Sequence, residues 1–184
     1  MDSKSIYKMV TTAILIALTV VFQLMRPLFG GSNPVSTYIV GSLVNLTLIV
    51  ASCVVGLYGG AAVGIVAPLI AFWQGHAVFP MVWCIMGGNV VLAVVYALLA
   101  RGALGNAKAD WVRFCAVGVV AAVVKYAVIL LGQAVTLTTV KGQAFGAALG
   151  AAAVAQIQQV VTAVVGMIVA KLLIIALPRQ ALRG

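Results

Sequence analysis

The chain has 184 residues, of which 65% are hydrophobic and 7% charged, and its mean hydropathy is +1.24. Soluble domains are about half apolar and about a quarter charged, so these figures exclude a soluble enzyme, a disordered chain and a disulfide-stapled secreted domain, and they indicate an integral membrane protein. Eleven basic residues against two acidic ones give +9; in a soluble protein this would suggest nucleic acid, but here the basic residues form no face and sit mostly at the ends of apolar segments, so no nucleic-acid partner is expected.

A bilayer-spanning helix takes roughly 20 residues. The length therefore fits one transmembrane domain over 1–184, with six spans and no soluble domain. In chain order the expected spans are 9–25, 38–57, 59–73, 79–100, 112–132 and 146–177, which predicts an all-α fold, a compact bundle of six transmembrane helices. The break between the second and third rests on Leu57-Tyr58-Gly59-Gly60. The third is short and the sixth long, and tilt or a kink absorbs both. The first stretch is long, has no Ala-x-Ala-like end and is followed by further spans, so it reads as a span rather than a signal peptide.

Charge at the loops sets orientation. With the N-terminus in the cytoplasm, Lys4, Lys8, Arg101, Lys108, Arg113, Arg179 and Arg183 fall inside, and Arg26 and Lys141 fall outside. That bias predicts cytoplasmic N- and C-termini; the plasma membrane of a bacterium is the expected location.

The acids are Asp2 and Asp110, and neither lies in an apolar segment. Cation-driven transporters usually hold a carboxylate inside the membrane, and this chain has none. It also lacks a phosphate-binding Gly-x-x-x-x-Gly-Lys-Ser/Thr loop and, with one histidine, a metallopeptidase site. Cys53, Cys84 and Cys115 form no Cys-x-x-Cys pair and read as small apolar residues. No cofactor and no enzymatic activity are expected. Energy for moving anything against a gradient must come from another protein.

Two lysines lie within spans. Lys171, about seven residues from the inner end of the sixth, is expected to snorkel to the interface. Lys125 lies deeper in the fifth, with no carboxylate able to reach it; it is neutral, snorkels outward, or meets an anion in an outward-facing cavity. Asn45, Asn89, Gln156, Gln158 and Gln159 lie at similar depth. Each is explained by interhelical hydrogen bonding, but several polar groups at one level favour a shared cavity. Gln156 and Gln159, three apart, share a helix face. Trp73, Gln74, His76, Trp83 and Tyr126 are candidates for its walls and rim. Gly56, Gly60 and Gly64 are spaced by four, as are Gly142, Gly146 and Gly150, a pattern of close helix packing.

Ala13 and Ala17, within Thr11-Thr12-Ala13-Ile14-Leu15-Ile16-Ala17-Leu18, make an Ala-x-x-x-Ala motif in the first span. This resembles the first helix of the substrate-binding S components of energy-coupling-factor (ECF) vitamin transporters. The length, the six spans and the stretch from Gly41 through Asn89, with Gly59-Gly60, Pro68 and Gly88-Asn89, are similar in style. The resemblance implies a subunit that binds a vitamin or precursor in an outward-opening pocket. It implies docking through Ala13 and Ala17 on a transmembrane coupling subunit, with two cytoplasmic ATPase subunits powering the cycle. The motif carries over no pocket residue. Depth and chemistry nominate Lys125, Asn89, Gln156, Gln159, Trp83, Tyr126, His76 and Asn45 for substrate binding. A ligand meeting Lys125 would be an anion; pantothenate, biotin, folate, lipoate and nicotinate are of this type. The alternative is a structural or biogenesis subunit of the membrane with no small-molecule ligand. A membrane enzyme and a passive channel are disfavoured, because acid–base groups are almost absent and a ring-forming selectivity motif is lacking.

Overall fold

The computed structural model describes residues 2–31 and 33–177, and within them the chain is helical with no strand. The helices are α1 (Ser3–Leu24), α2 (Pro34–Val54), α3 (Leu57–Trp73), α4 (Met81–Leu99), α5 (Lys108–Lys141) and α6 (Phe145–Ala176), with short 3₁₀ turns at Arg26–Phe29 and Arg101–Ala103. Five of the six cores are long and apolar enough to cross a membrane; α3, with 17 residues, is shorter. The chain is thus a multi-pass membrane protein by helix length and composition. Arg179 and Arg183, which weigh in the expected orientation, lie outside the described residues.

The helix ends follow from local chemistry. Asp2 caps α1 by accepting the Ser5 N–H at 2.9 Å, and hydrogen bonds from Ser5 hold its carboxyl below the usual range. Asp110, in the first turn of α5, accepts the Ala107 N–H at 3.2 Å. Both acids of the chain therefore serve helix N-termini, where negative charge is favoured. Asn33 caps α2 with Pro34 in the first turn. A break between spans two and three is present, but earlier than expected: α2 ends at Val54, and Leu57-Tyr58-Gly59-Gly60 forms the first turn of α3. Gly56 between them has φ +104°, a conformation that side-chain-bearing residues rarely adopt.

α5 departs from the expected 112–132. It continues to Lys141 and ends on Gly142 at φ +66°, so its 34 residues span about 51 Å, well beyond the ~30 Å hydrocarbon layer. Polarity after residue 132 marks departure from the apolar layer rather than the end of the helix. Thr138 and Thr139 keep their hydroxyls on helix carbonyls, at 2.9 Å from Ala134 O and 2.9 Å from Val135 O.

Close approaches set the packing. Gly60 faces Ala93 and Gly64 faces Asn89, an antiparallel α3–α4 register. Gly88 faces Ile129 and Gly132 faces Cys84, which makes α4 and α5 antiparallel. Gly41 meets Thr162 and Gly166 meets Asn45, which makes α2 and α6 parallel. A Cβ added at Gly166 would lie 2.7 Å from Asn45 Cβ and 2.9 Å from Ser42 O, so only glycine permits this contact. The packing expectation holds for part of the two glycine series. Gly60 and Gly64 pack against α4, whereas Gly146 and Gly150 have open space around them and Gly56 and Gly142 serve helix ends.

The apolar core, with Leu48, Ile49, Leu92, Tyr96, Phe114 and Ile174 at its centre, fills the half of the bundle that holds the start of α1 and the end of α6. Lys171 is buried there, where snorkelling to the interface was expected. Its ammonium donates to Ala103 O at 2.6 Å and Gly105 O at 2.7 Å and lies 5.0 Å from the centre of the Phe114 ring. The α4–α5 connection folds its carbonyls over the lysine, so the charge is satisfied inside the protein.

Candidate functional site: a carboxylate-free polar cavity

The opposite half of the bundle holds a cavity. The chain brings to it the end of α1, the first half of α2, the second half of α3, the α3–α4 connection, the first half of α4 and the middle of α5 and α6. It offers about 160 Å³ to the centres of water-sized bodies.

Lys125 projects into it from α5 and is 2% exposed. Its ammonium donates to Asn45 Oδ1 at 2.8 Å. Lysine only donates, so this contact fixes the Asn45 amide with its oxygen toward the cation. The amide nitrogen then donates to Gly41 O at 2.9 Å and to Thr162 Oγ1 at 3.2 Å. Asn45 is fully engaged, whereas the ammonium retains two N–H groups.

Asn89 lines the cavity from α4. Its amide nitrogen donates to Gly64 O at 3.2 Å. The cause lies in α3: Pro68 has no N–H, so the carbonyl four residues earlier loses its helical donor. Asn89 supplies the replacement and keeps its own carbonyl oxygen for the cavity.

A second cation lines the cavity. Arg26, in the 3₁₀ turn after α1, makes long hydrogen bonds to Thr37 Oγ1 at 3.5 Å and Gln23 Oε1 at 3.4 Å. Its buried Nε has no partner among the described residues. Gln23 is held in turn by donation to Ala67 O at 3.2 Å. His76, in the α3–α4 connection, also lines the space. Desolvation, and after it the charge of Arg26, keeps its pKa below the ordinary 6.5. Gln158, Gln159 and Thr162 complete the polar lining from α6.

Of the nominated binding residues, the fold brings Lys125, Asn45, Asn89, Gln159 and His76 to this one cavity. The fold does not bring Gln156, Trp83 and Tyr126 to its lining. Gln156 is buried outside that lining, although it lies only three residues from Gln159 on the same helix; Trp83 is 55% exposed. The Tyr126 hydroxyl donates to Ala153 O at 2.9 Å, so it ties α5 to α6. Trp73 is 77% exposed, and Gln74 donates to Gln23 O at 3.3 Å outside the lining. Sequence reasoning assigned Arg26 to topology alone and passed over Gln23. Their spacing of three, on one face at the end of an apolar helix, was the available signal.

Ala13 and Ala17 lie on the outward face of α1, together with Val10, Ile14 and Val21. No metal-binding group of His, Cys, Asp or Glu occurs among the described residues.

The fold and the cavity define a multi-pass helical membrane protein with a cation-bearing, carboxylate-free polar site in one half of its bundle. Comparison of the chain with models of protein families, with characterised proteins and with solved structures gives no match.

Proposed function

We propose that this chain is the substrate-capturing subunit of an ATP-driven micronutrient importer of the ECF type, binding a small anion in the cavity around Lys125. The observation that carries the reading is the convergence of Lys125 and Arg26 on one cavity in a chain whose two acids both sit at helix N-termini far from it. A buried cation without a counter-ion is costly, and a bound anion relieves that cost. With the N-terminus cytoplasmic, the cavity opens outward, as capture requires. Lacking an energy source of its own, the chain would dock through Ala13 and Ala17 on a coupling subunit driven by two ATPase subunits. Small residues on an outward helix face allow close approach of a partner helix.

The test is uptake of labelled micronutrients by cells expressing the chain with and without an ECF coupling module. Uptake that requires both supports the reading, and uptake indifferent to the module contradicts it.

A second reading, a structural membrane subunit with no ligand, draws on one observation: Lys125 already has an internal partner in Asn45. That partner is a neutral amide and leaves the charge uncompensated, so the capture reading is preferred.

A further inference from the structure

We propose that the ligand is a compact aliphatic acid, carrying hydroxyl or amide groups but no aromatic ring. This rests on the capture reading and narrows it through the chemistry of the cavity walls.

The apolar wall is aliphatic. It consists of Val44, Ala67, Pro68, Ala71, Ala77 and Ile85. Sites for planar heterocycles gain affinity from offset or edge-to-face ring contacts, and the indoles that could supply them, Trp73 and Trp83, face away from the bundle. Tyr126 is committed to Ala153 O. His76 is the single ring on the lining, placed in the α3–α4 connection. An aliphatic body suits this wall better than a flat ring.

The polar wall specifies the rest. Lys125 retains two donors and Arg26 has an unpartnered Nε, so the ligand presents an anionic group to them. No acid lines the cavity to receive a cation. The free carbonyl oxygen of Asn89 accepts from a hydroxyl or an amide N–H. Gln158 and Gln159 offer both donors and acceptors. Size sets the last limit. At 10–15 Å³ per water centre the space holds on the order of ten waters, about 300 Å³ as liquid, the low end of the range for small-molecule sites.

The test is calorimetric titration of the full chain in nanodiscs with pantothenate, its neutral alcohol panthenol, lipoate, biotin, nicotinate and folate, repeated with Lys125→Ala. Pantothenate or biotin, the aliphatic acids that carry hydroxyl or amide-type groups, should be the tightest binder, at least about tenfold ahead of lipoate, nicotinate and folate, a gap of about 1.4 kcal/mol; lipoate binding tightest would overturn the requirement for those groups. Panthenol should bind more weakly than pantothenate, and Lys125→Ala should weaken the tightest binder at least as strongly. Tightest binding by nicotinate or folate, dependent on Lys125, overturns the aliphatic class and leaves the capture reading standing. Panthenol equal to a binding pantothenate overturns the requirement for an acid. No binding by any probe, in protein shown to be folded by its melting transition, overturns this proposal and the capture reading together.

Discussion

Lys125 donates to Asn45 Oδ1 over 2.8 Å, and this one bond joins α5 to α2 at the wall of the cavity while leaving most of the ammonium's hydrogen-bonding capacity unused. Asn45 passes the constraint on to α6 through Thr162. The charge is thus held in place by neutral groups, an arrangement suited to receiving an anion.

Lys125→Ala should weaken anion binding by about 1.5–3 kcal/mol, the worth of a charge-assisted hydrogen bond. Asn45→Asp is the sharper probe. It keeps the side-chain shape and places a carboxylate beside the ammonium, so anion affinity should fall at least about tenfold, or ~1.4 kcal/mol. Unchanged affinity in both variants would remove Lys125 from the site.

Asn89 and Pro68 should be energetically coupled. Asn89→Ala strips Gly64 O of its donor and should cost about 1–3 kcal/mol, the penalty for an unsatisfied buried carbonyl. Pro68→Ala restores a backbone N–H four residues on, so the cost of Asn89→Ala should shrink in that background. A double-mutant cycle on unfolding free energies measures the coupling; additive costs would show that the amide does not stand in for the missing donor.

These pairings mark where the sequence was legible and where it was not. Apolar runs of span length and the break read at Leu57-Tyr58-Gly59-Gly60 exposed six helices, because the bilayer imposes length and apolarity directly. Depth counting found Lys125, Asn45 and Asn89, since polar groups in a membrane helix must have a partner or a task. Rotation about each helix axis was not legible. It is set by contacts such as Gly166 on Asn45 and Gly64 on Asn89, which decide that Gln158 and Gln159 face the cavity and Gln156 does not. The reach of α5 past residue 132 is not legible, because a fall in hydropathy does not by itself end a helix. Arg26 was missed because a loop cation counts equally well as a topology signal.

Lys171 should behave as a structural group. Lys171→Met removes both donors to the carbonyls of Ala103 and Gly105 and should destabilise the fold by roughly 1–3 kcal/mol, with faster amide exchange across 101–107. A freely snorkelling lysine would tolerate the change with no effect on exchange.

Binding should depend on pH through His76. Desolvation, then Arg26, lowers its pKa below 6.5, so it is neutral at pH 7. An anion in the cavity favours the protonated ring and raises that pKa. Binding then takes up protons, and affinity should rise as pH falls from 7 toward the pKa of the free chain, levelling off below it. Titrations between pH 7.5 and 5.5 would show this slope, flattened in His76→Gln; a flat profile in the wild-type chain would separate His76 from the ligand.

Ala13→Leu and Ala17→Leu alter only the outward face of α1. Ligand binding should persist and uptake should be lost, because the larger side chain blocks close helix approach. Loss of binding in purified protein would refute the assignment of this face to docking.

The most direct measurement is mass spectrometry of the small molecules released when the purified chain is denatured, with Lys125→Ala prepared alongside. Capture of an anion around Lys125 predicts a near-stoichiometric acidic molecule from the wild-type chain, lost or strongly depleted in the variant. Nothing released from either protein, even after incubation with a mixture of vitamins, would contradict it and leave a membrane subunit whose buried lysine serves only to tie α5 to α2.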